Sequence, residues 1–157
     1  MELKYADITE KIIGCAMKVH SKMGSGYPEI IYARCLAIEF SRVGLSFEKE
    51  QSLNVYYDNI IVGKRRVDFM VEEKIVVELK CLRELTNADL AQALNYLESH
   101  HQEIALLINF GAKSLQSKRI INTKTIPKLI QAINTASDLA VLDNPDISSK
   151  NPDNPWL

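Results

Sequence analysis

What the chain has little of narrows its class before any motif is considered. No stretch approaches the length of a membrane span, and the opening segment MELKYADITEK carries no apolar core of the kind that directs secretion. Three cysteines, Cys15, Cys35 and Cys81, form neither a CxxC pair nor an even framework. That excludes a disulfide scaffold or zinc ribbon and suits buried thiols in a reducing compartment. No two of the three histidines have the spacing of zinc ligands. Neither sign of charge is in excess: 19 basic against 20 acidic residues leave a net charge of -1. The chain is therefore neither a basic nucleic-acid tail nor an acidic solvating segment, although a local basic strip remains compatible with a nucleic-acid partner. Gly24 and Gly26 lack the lysine and hydroxyl of a phosphate-binding loop and read as a turn. The expectation is a cytoplasmic protein with no membrane partner.

What is present describes one α/β domain. At 157 residues and 46% apolar content the chain supports one hydrophobic core. Asp7 with Glu10 reads as a capping box for a first helix carrying Ile12, Ala16, Val19 and Met23. Pro28 opens a second helix, with Ile31, Cys35 and Ile38 on one face, Tyr32, Leu36, Phe40 and Val43 on another, and Gly44 at its end. Strand-like runs follow at Leu53–Tyr57 and Ile60–Val62, joined by an Asp58-Asn59 turn. A second capping box, Thr86 with Asp89, opens a helix to about Ser99 with Leu90, Leu94 and Leu97 as its packing stripe. The run from Ile104 to Phe110 reads as a strand buried on both faces. A last helix is expected from Ile126 to Ala136. The domain is placed at residues 1–142 and a flexible tail at 143–157, where three of the five prolines lie.

The chemistry concentrates in Arg66-Val67-Asp68-Phe69-Met70-Val71 and Ile75-Val76-Val77-Glu78-Leu79-Lys80, where charged residues interrupt branched apolar ones. A three-residue loop, Glu72-Glu73-Lys74, sets Val71 against Ile75, Phe69 against Val77 and Val67 against Leu79. The other face then pairs Asp68 with Glu78 and Arg66 with Lys80. A two-residue loop mixes charge and core on both faces, so the apolar pattern favours the former register. Facing Cβ atoms in such a pair lie roughly 4.5–5.5 Å apart. Asp68 and Glu78 are then placed to share one hard cation, Mg²⁺ or Mn²⁺, which relieves their repulsion. Lys80 points to the same side, where an ammonium group orients water and stabilises charge on a phosphate. A salt-bridge cluster of Asp68, Glu78, Lys80 and Arg66 is the alternative on residue chemistry alone.

Asp68, nine intervening residues and Glu78-Leu79-Lys80 together resemble the PD-(D/E)xK nuclease superfamily. Within it, Gly26-Tyr27-Pro28-Glu29-Ile30-Ile31-Tyr32 is similar to the pattern of the small GxxExxY proteins, and the likeness runs from about Ile8 to Arg119. Gln92-Ala93-Leu94-Asn95-Tyr96 is similar to the QxxxY element of RecB-like nucleases, while Asp89 and Leu90 depart from the His-Glu pair usual before that glutamine. The resemblance implies a restriction-endonuclease-like α/β core, a central mixed β-sheet flanked by helices. It also implies a Mg²⁺- or Mn²⁺-dependent deoxyribonuclease. By the same likeness Asp68, Glu78 and Glu29 would hold the metal, Lys80 would be catalytic, Gln92 would place substrate and His20 would lie at the site edge.

Other residues carry a structural reading beside the functional one. Glu29 in a first helical turn also complements the helix dipole. Gln92 and Tyr96, four apart, share a helix face that either borders the metal cleft or is simply polar. His100 and His101 read as helix-end groups. Arg65, Arg66, Lys113, Lys118, Arg119, Lys124 and Lys128 are candidate phosphate contacts or a solvated basic face, and binding through them depends strongly on salt. DNA is the expected partner, and a homodimer or another protein partner stays open. An inactive nucleic-acid-binding module and a protein-interaction module are the competing functions.

Overall fold

The computed structural model describes residues 3–124. The helix expected at 126–136, Lys128 and the tail from 143 lie outside the described residues. Helix α1 spans Ala6–Met23 and α2 spans Glu29–Arg42. The strands are β1 (Phe47–Lys49), β2 (Ser52–Tyr57), β3 (Ile60–Arg66), β4 (Phe69–Val71) and β5 (Ile75–Lys80). Helix α3 (Asn87–Ser99), β6 (Ile104–Asn109) and β7 (Gln116–Ile121) complete the order. Among the described residues no helix is long and apolar enough to cross a membrane.

The central sheet runs β1-β4-β5-β6-β7, while β2 and β3 form a separate two-stranded sheet. Only β5 and β6 run parallel within the larger sheet; its other neighbours are antiparallel. This is the expected mixed sheet flanked by helices. Side chains alternate across a strand, so each strand serves two layers. Phe69, Val71, Ile75, Val77, Leu79, Ile104, Leu106 and Ile108 pack under α1 and α2. Met70, Val76 and Ala105 pack on the other face with Leu97 of α3. Both faces of β5 and β6 are covered, which explains their nearly unbroken apolar sequences.

Of the two apolar faces expected for α2, Tyr32, Leu36 and Phe40 form the fully buried one, whereas Ile38 and Val43 remain exposed. Tyr32 also fixes the turn between the helices. Its hydroxyl donates to the Gly24 carbonyl at 2.5 Å and accepts from the Tyr27 N–H at 3.3 Å. Its ring stacks on Phe110, with centroids 4.5 Å apart. Pro28 is the extended cap residue of α2, so the helix starts at Glu29.

Three local expectations change. Asp7 does not cap α1: the helix begins at Ala6 after Tyr5 in the left-handed region, leaving Asp7 inside the first turn. The packing stripe of α3 is Ala93 and Leu97, with Leu90 and Leu94 half-buried. Residues 116–121 form an additional strand, β7, on the far edge of the sheet. The Thr86–Asp89 capping box forms in full, with both reciprocal bonds present. Asp58 and Asn59 both adopt positive φ, as a tight hairpin turn requires.

Candidate active site

The site begins at a kink. Pairing between β1 and β4 passes through the Glu50 N–H to Asp68 carbonyl bond (3.1 Å) and the Val67 N–H to Gln51 carbonyl bond (3.0 Å), then continues as β2 with β3. One long antiparallel pair is thus divided between two sheets at Glu50-Gln51 and Val67-Asp68. The β4–β5 register around the Glu72-Glu73-Lys74 turn is the three-residue-loop register, Phe69 with Val77 and Val71 with Ile75. At the kink the ladder ends. Asp68 accepts from the Leu79 backbone N–H at 2.7 Å, which sets its carboxylate near enough to Glu78 to be coupled to it.

Straight continuation of the hairpin fails beyond that point, for the same reason. Val67 packs with Met70, Val76, Leu97 and Ala105, while Leu79 belongs to the opposite core, so these two residues do not face each other. Arg66 pairs with Ser52 in the small sheet and reaches Glu50 at 4.0 Å rather than lying beside Lys80. Its neighbour Arg65 turns inward. The guanidinium lies 3.3 Å from Glu78 Oε1 and 3.4 Å from the Tyr96 ring centroid.

Glu78 is one of the few buried carboxylates. Burial pushes its carboxyl up to about 7; Arg65 opposes that shift, Asp68 adds to it and Lys80 again opposes it. Glu29 stands at the start of α2, on the other side of Asp68. Partial desolvation raises its carboxyl above the usual range, Asp68 adds to the rise, and Lys80 counteracts it. Lys80 also acts on Asp89. The ammonium group is therefore electrostatically coupled to carboxylates on both sides of the end of β5. Between Glu29 and Asp68 opens a cleft of about 550 Å³, lined also by Ile30, Ala33, Arg34, Lys49 and Glu50.

A polar clamp holds the loop that follows Lys80. Asn109, fully buried, accepts from the N–H of Leu82 (2.8 Å) and Gly111 (3.1 Å). Its amide nitrogen donates to the Leu82 carbonyl and to Gln116 Oε1, both at 2.9 Å. Gln116 Oε1 also accepts from the Leu85 N–H at 3.0 Å. A Cβ on Gly111 would lie 2.5 Å from the Cys81 and Leu82 backbone, so only glycine permits this approach. Asn109, Phe110 and Gly111 fall inside the span of the family likeness; their task of fastening the 81–86 loop depends on β7, which the apolar pattern does not expose.

The other candidates divide by position. Gln92 is exposed on α3, one helical turn before Tyr96. The Tyr96 phenol is raised by burial, with Arg65 acting against it. Lys118 is exposed and sits in the transverse row Glu78–Leu107–Lys118. Lys113 is exposed beyond β6. Arg119 faces the opposite side of the sheet and bonds Thr9 Oγ1 (3.2 Å) and the Lys4 carbonyl, so no continuous basic strip includes both Lys118 and Arg119. His20 donates from Nε2 to the Ala112 carbonyl at 3.0 Å, tying α1 to the turn after β6. His100 is buried instead of lying at a solvated helix end, and donates from Nδ1 to the Asn54 carbonyl at 2.6 Å.

Among the described residues no three His, Cys, Asp or Glu side chains are gathered as an ion cage. The donor chemistry nevertheless fits a hard divalent cation: two adjoining carboxylates, one buried and held up in pKa, with Glu29 coupled to them. Arg65 supplies the positive charge at Glu78 in this structure.

Residues 6–121 match the family model described as PD-(D/E)XK nuclease superfamily. No curated protein matches the chain. Among solved structures, SSO0001 is similar at a TM-score of 0.44 and 14% identity, over 84% of this chain and 74% of that one. An alkaline exonuclease (LHK-Exo) from Laribacter hongkongensis is similar at a TM-score of 0.45 and 12% identity, over 93% of this chain and 84% of that one.

Proposed function

The chain belongs to the PD-(D/E)XK nuclease superfamily, and from that premise we propose that it is a Mg²⁺- or Mn²⁺-dependent deoxyribonuclease of the GxxExxY type. The observation that carries this reading is the Asp68 carboxylate held on the Leu79 N–H, between the coupled Glu78 and Lys80 positions at the end of β5. Asp68, Glu78 and Glu29 are the residues that would hold the cation. When bound, the cation supplies charge neutralisation at the phosphodiester and lowers the pKa of water.

The rest falls to the chain itself. The Leu79 N–H fixes the Asp68 carboxylate in one orientation. The Lys80 ammonium, steadied by the clamped loop after it, orients the attacking water and offsets charge developing on the phosphate. Gln92 and Tyr96 border the substrate path from α3, and Lys113 and Lys118 are offered to phosphates. The GxxExxY pattern acquires a physical sense here: Tyr32 pins the turn that fixes where α2, and with it Glu29, begins.

Purified parent should cleave DNA in a panel of linear, circular and structured substrates when Mg²⁺ or Mn²⁺ is added, and Glu78→Ala should not. Salt-dependent DNA binding by the parent, without cleavage in either metal, would instead support a binding module.

A further inference from the structure

We propose that Arg65 and the divalent cation compete for Glu78, so that loading the site breaks the Arg65–Glu78 pair. This rests on the metal-dependent reading above. Arg65 comes from β3 of the small sheet, whereas Glu78 belongs to the central one. Their side chains are only 16% and 12% exposed, so the pair offsets part of the cost of burying two charges. The contact is nevertheless a long one, 3.3 Å to a single oxygen; charge-assisted N–H···O bonds are commonly about 2.7–2.9 Å. A cation held by Glu78 and Asp68 supplies the counter-charge that Arg65 now supplies, and repels the guanidinium. The Tyr96 ring, 3.4 Å from the guanidinium, gives Arg65 a second hold that does not involve Glu78. Release from the carboxylate therefore leaves Arg65 on the α3 side of the site rather than in bulk water.

The test is a Mn²⁺ titration by calorimetry, with thermal melting in the absence and presence of saturating Mn²⁺, on the parent, Arg65→Gln, Arg65→Lys, Lys64→Gln and Glu78→Gln. Arg65→Gln should bind Mn²⁺ at least about fivefold tighter than the parent, the lower end of ordinary coupling between two ligands. Its loss of melting temperature should be larger without Mn²⁺ than with it; a purely structural arginine gives equal losses. Lys64→Gln, an exposed change on the same strand, should behave as the parent. Arg65→Gln binding Mn²⁺ no tighter than a parent that does bind it overturns the competition. If Arg65→Gln does not fold, Arg65→Lys carries the test: it lacks the planar stack on Tyr96 and should bind about twofold tighter. Unchanged binding by that variant overturns the proposal equally. A parent that takes up no Mn²⁺, indistinguishable from Glu78→Gln, overturns the metal reading itself and this inference with it.

Discussion

At Glu78 burial and charge pull against each other. Desolvation and the Asp68 carboxylate favour the protonated form, Arg65 and Lys80 the ionised one, and the balance leaves the carboxyl at about 7 against an ordinary value of 4.5. A folded pKa raised above the unfolded value gives stability that is complete below the unfolded pKa and is lost as pH rises through the folded one. Metal-free protein should therefore lose melting temperature as pH rises from about 4.5 to about 7 and level off above that, and Glu78→Gln should flatten the slope. His100 acts with the opposite sign, and below pH 6.5 the two effects overlap. Burial lowers its pKa below 6.5, so its contribution is present above 6.5 and declines as pH falls. Melting curves across pH 5 to 8.5, without divalent metal, check both signs. A parent curve that falls no more steeply between pH 5 and 7 than that of Glu78→Gln contradicts the account of Glu78.

At the scale of elements, the loop from Cys81 to Thr86 is held at one end by Asn109 and Gln116 and at the other by the Thr86–Asp89 capping box. Gly111→Ala should push a methyl into the Cys81-Leu82 backbone and cost about 1–3 kcal/mol, as overpacking commonly does. Asn109→Ala removes the side-chain partner of the Leu82 N–H and carbonyl, part-buried hydrogen bonds worth about 0.5–1.5 kcal/mol each. Denaturant melts check the stability. Activity under conditions where both variants remain folded should fall further than their stability suggests, because the loop follows directly on Lys80. Full activity in folded Gly111→Ala would remove the clamp from the mechanism.

These elements also show what a sequence discloses. The β4–β5 register was legible because an alternation of apolar residues admits one loop length, and the Thr86–Asp89 cap because its partners are three residues apart. The reach of that hairpin was not legible. Nothing local says that the chain leaves one sheet for another at Val67-Asp68, and that change sends Arg66 outward and Arg65 onto Glu78. Edge strand β7 opens on Gln116, Ser117, Lys118 and Arg119, so it lacks the apolar pattern that marks β6. Asp7 had the right chemistry for a cap but falls one residue inside the helix.

For the whole molecule, a net charge of -1 means that the proposed attraction to DNA has to come from a few placed cations. Adjacent strand residues point to opposite faces, so Lys118 lies in the row of Glu78 while Arg119 is fastened to α1. Arg119→Ala should lower the melting temperature and leave DNA affinity unchanged, whereas Lys118→Ala should weaken binding and reduce its salt dependence. With two to four phosphates contacted, the slope of log affinity against log salt is about -2 to -4 on duplex DNA. Fluorescence anisotropy over a salt series measures it. Arg119→Ala weakening DNA as much as Lys118→Ala would contradict this division of the two faces.

The claim that joins these scales is that Asp68, Glu78 and Lys80 form one hydrolytic site. The rate of DNA cleavage in Mn²⁺ by folded Lys80→Ala, beside the parent and in nuclease-free preparations, tests it most directly. The account predicts a loss of about 10²-fold or more, the lower range for removal of a group acting in proton transfer or charge stabilisation. Equal rates for the two proteins would contradict it.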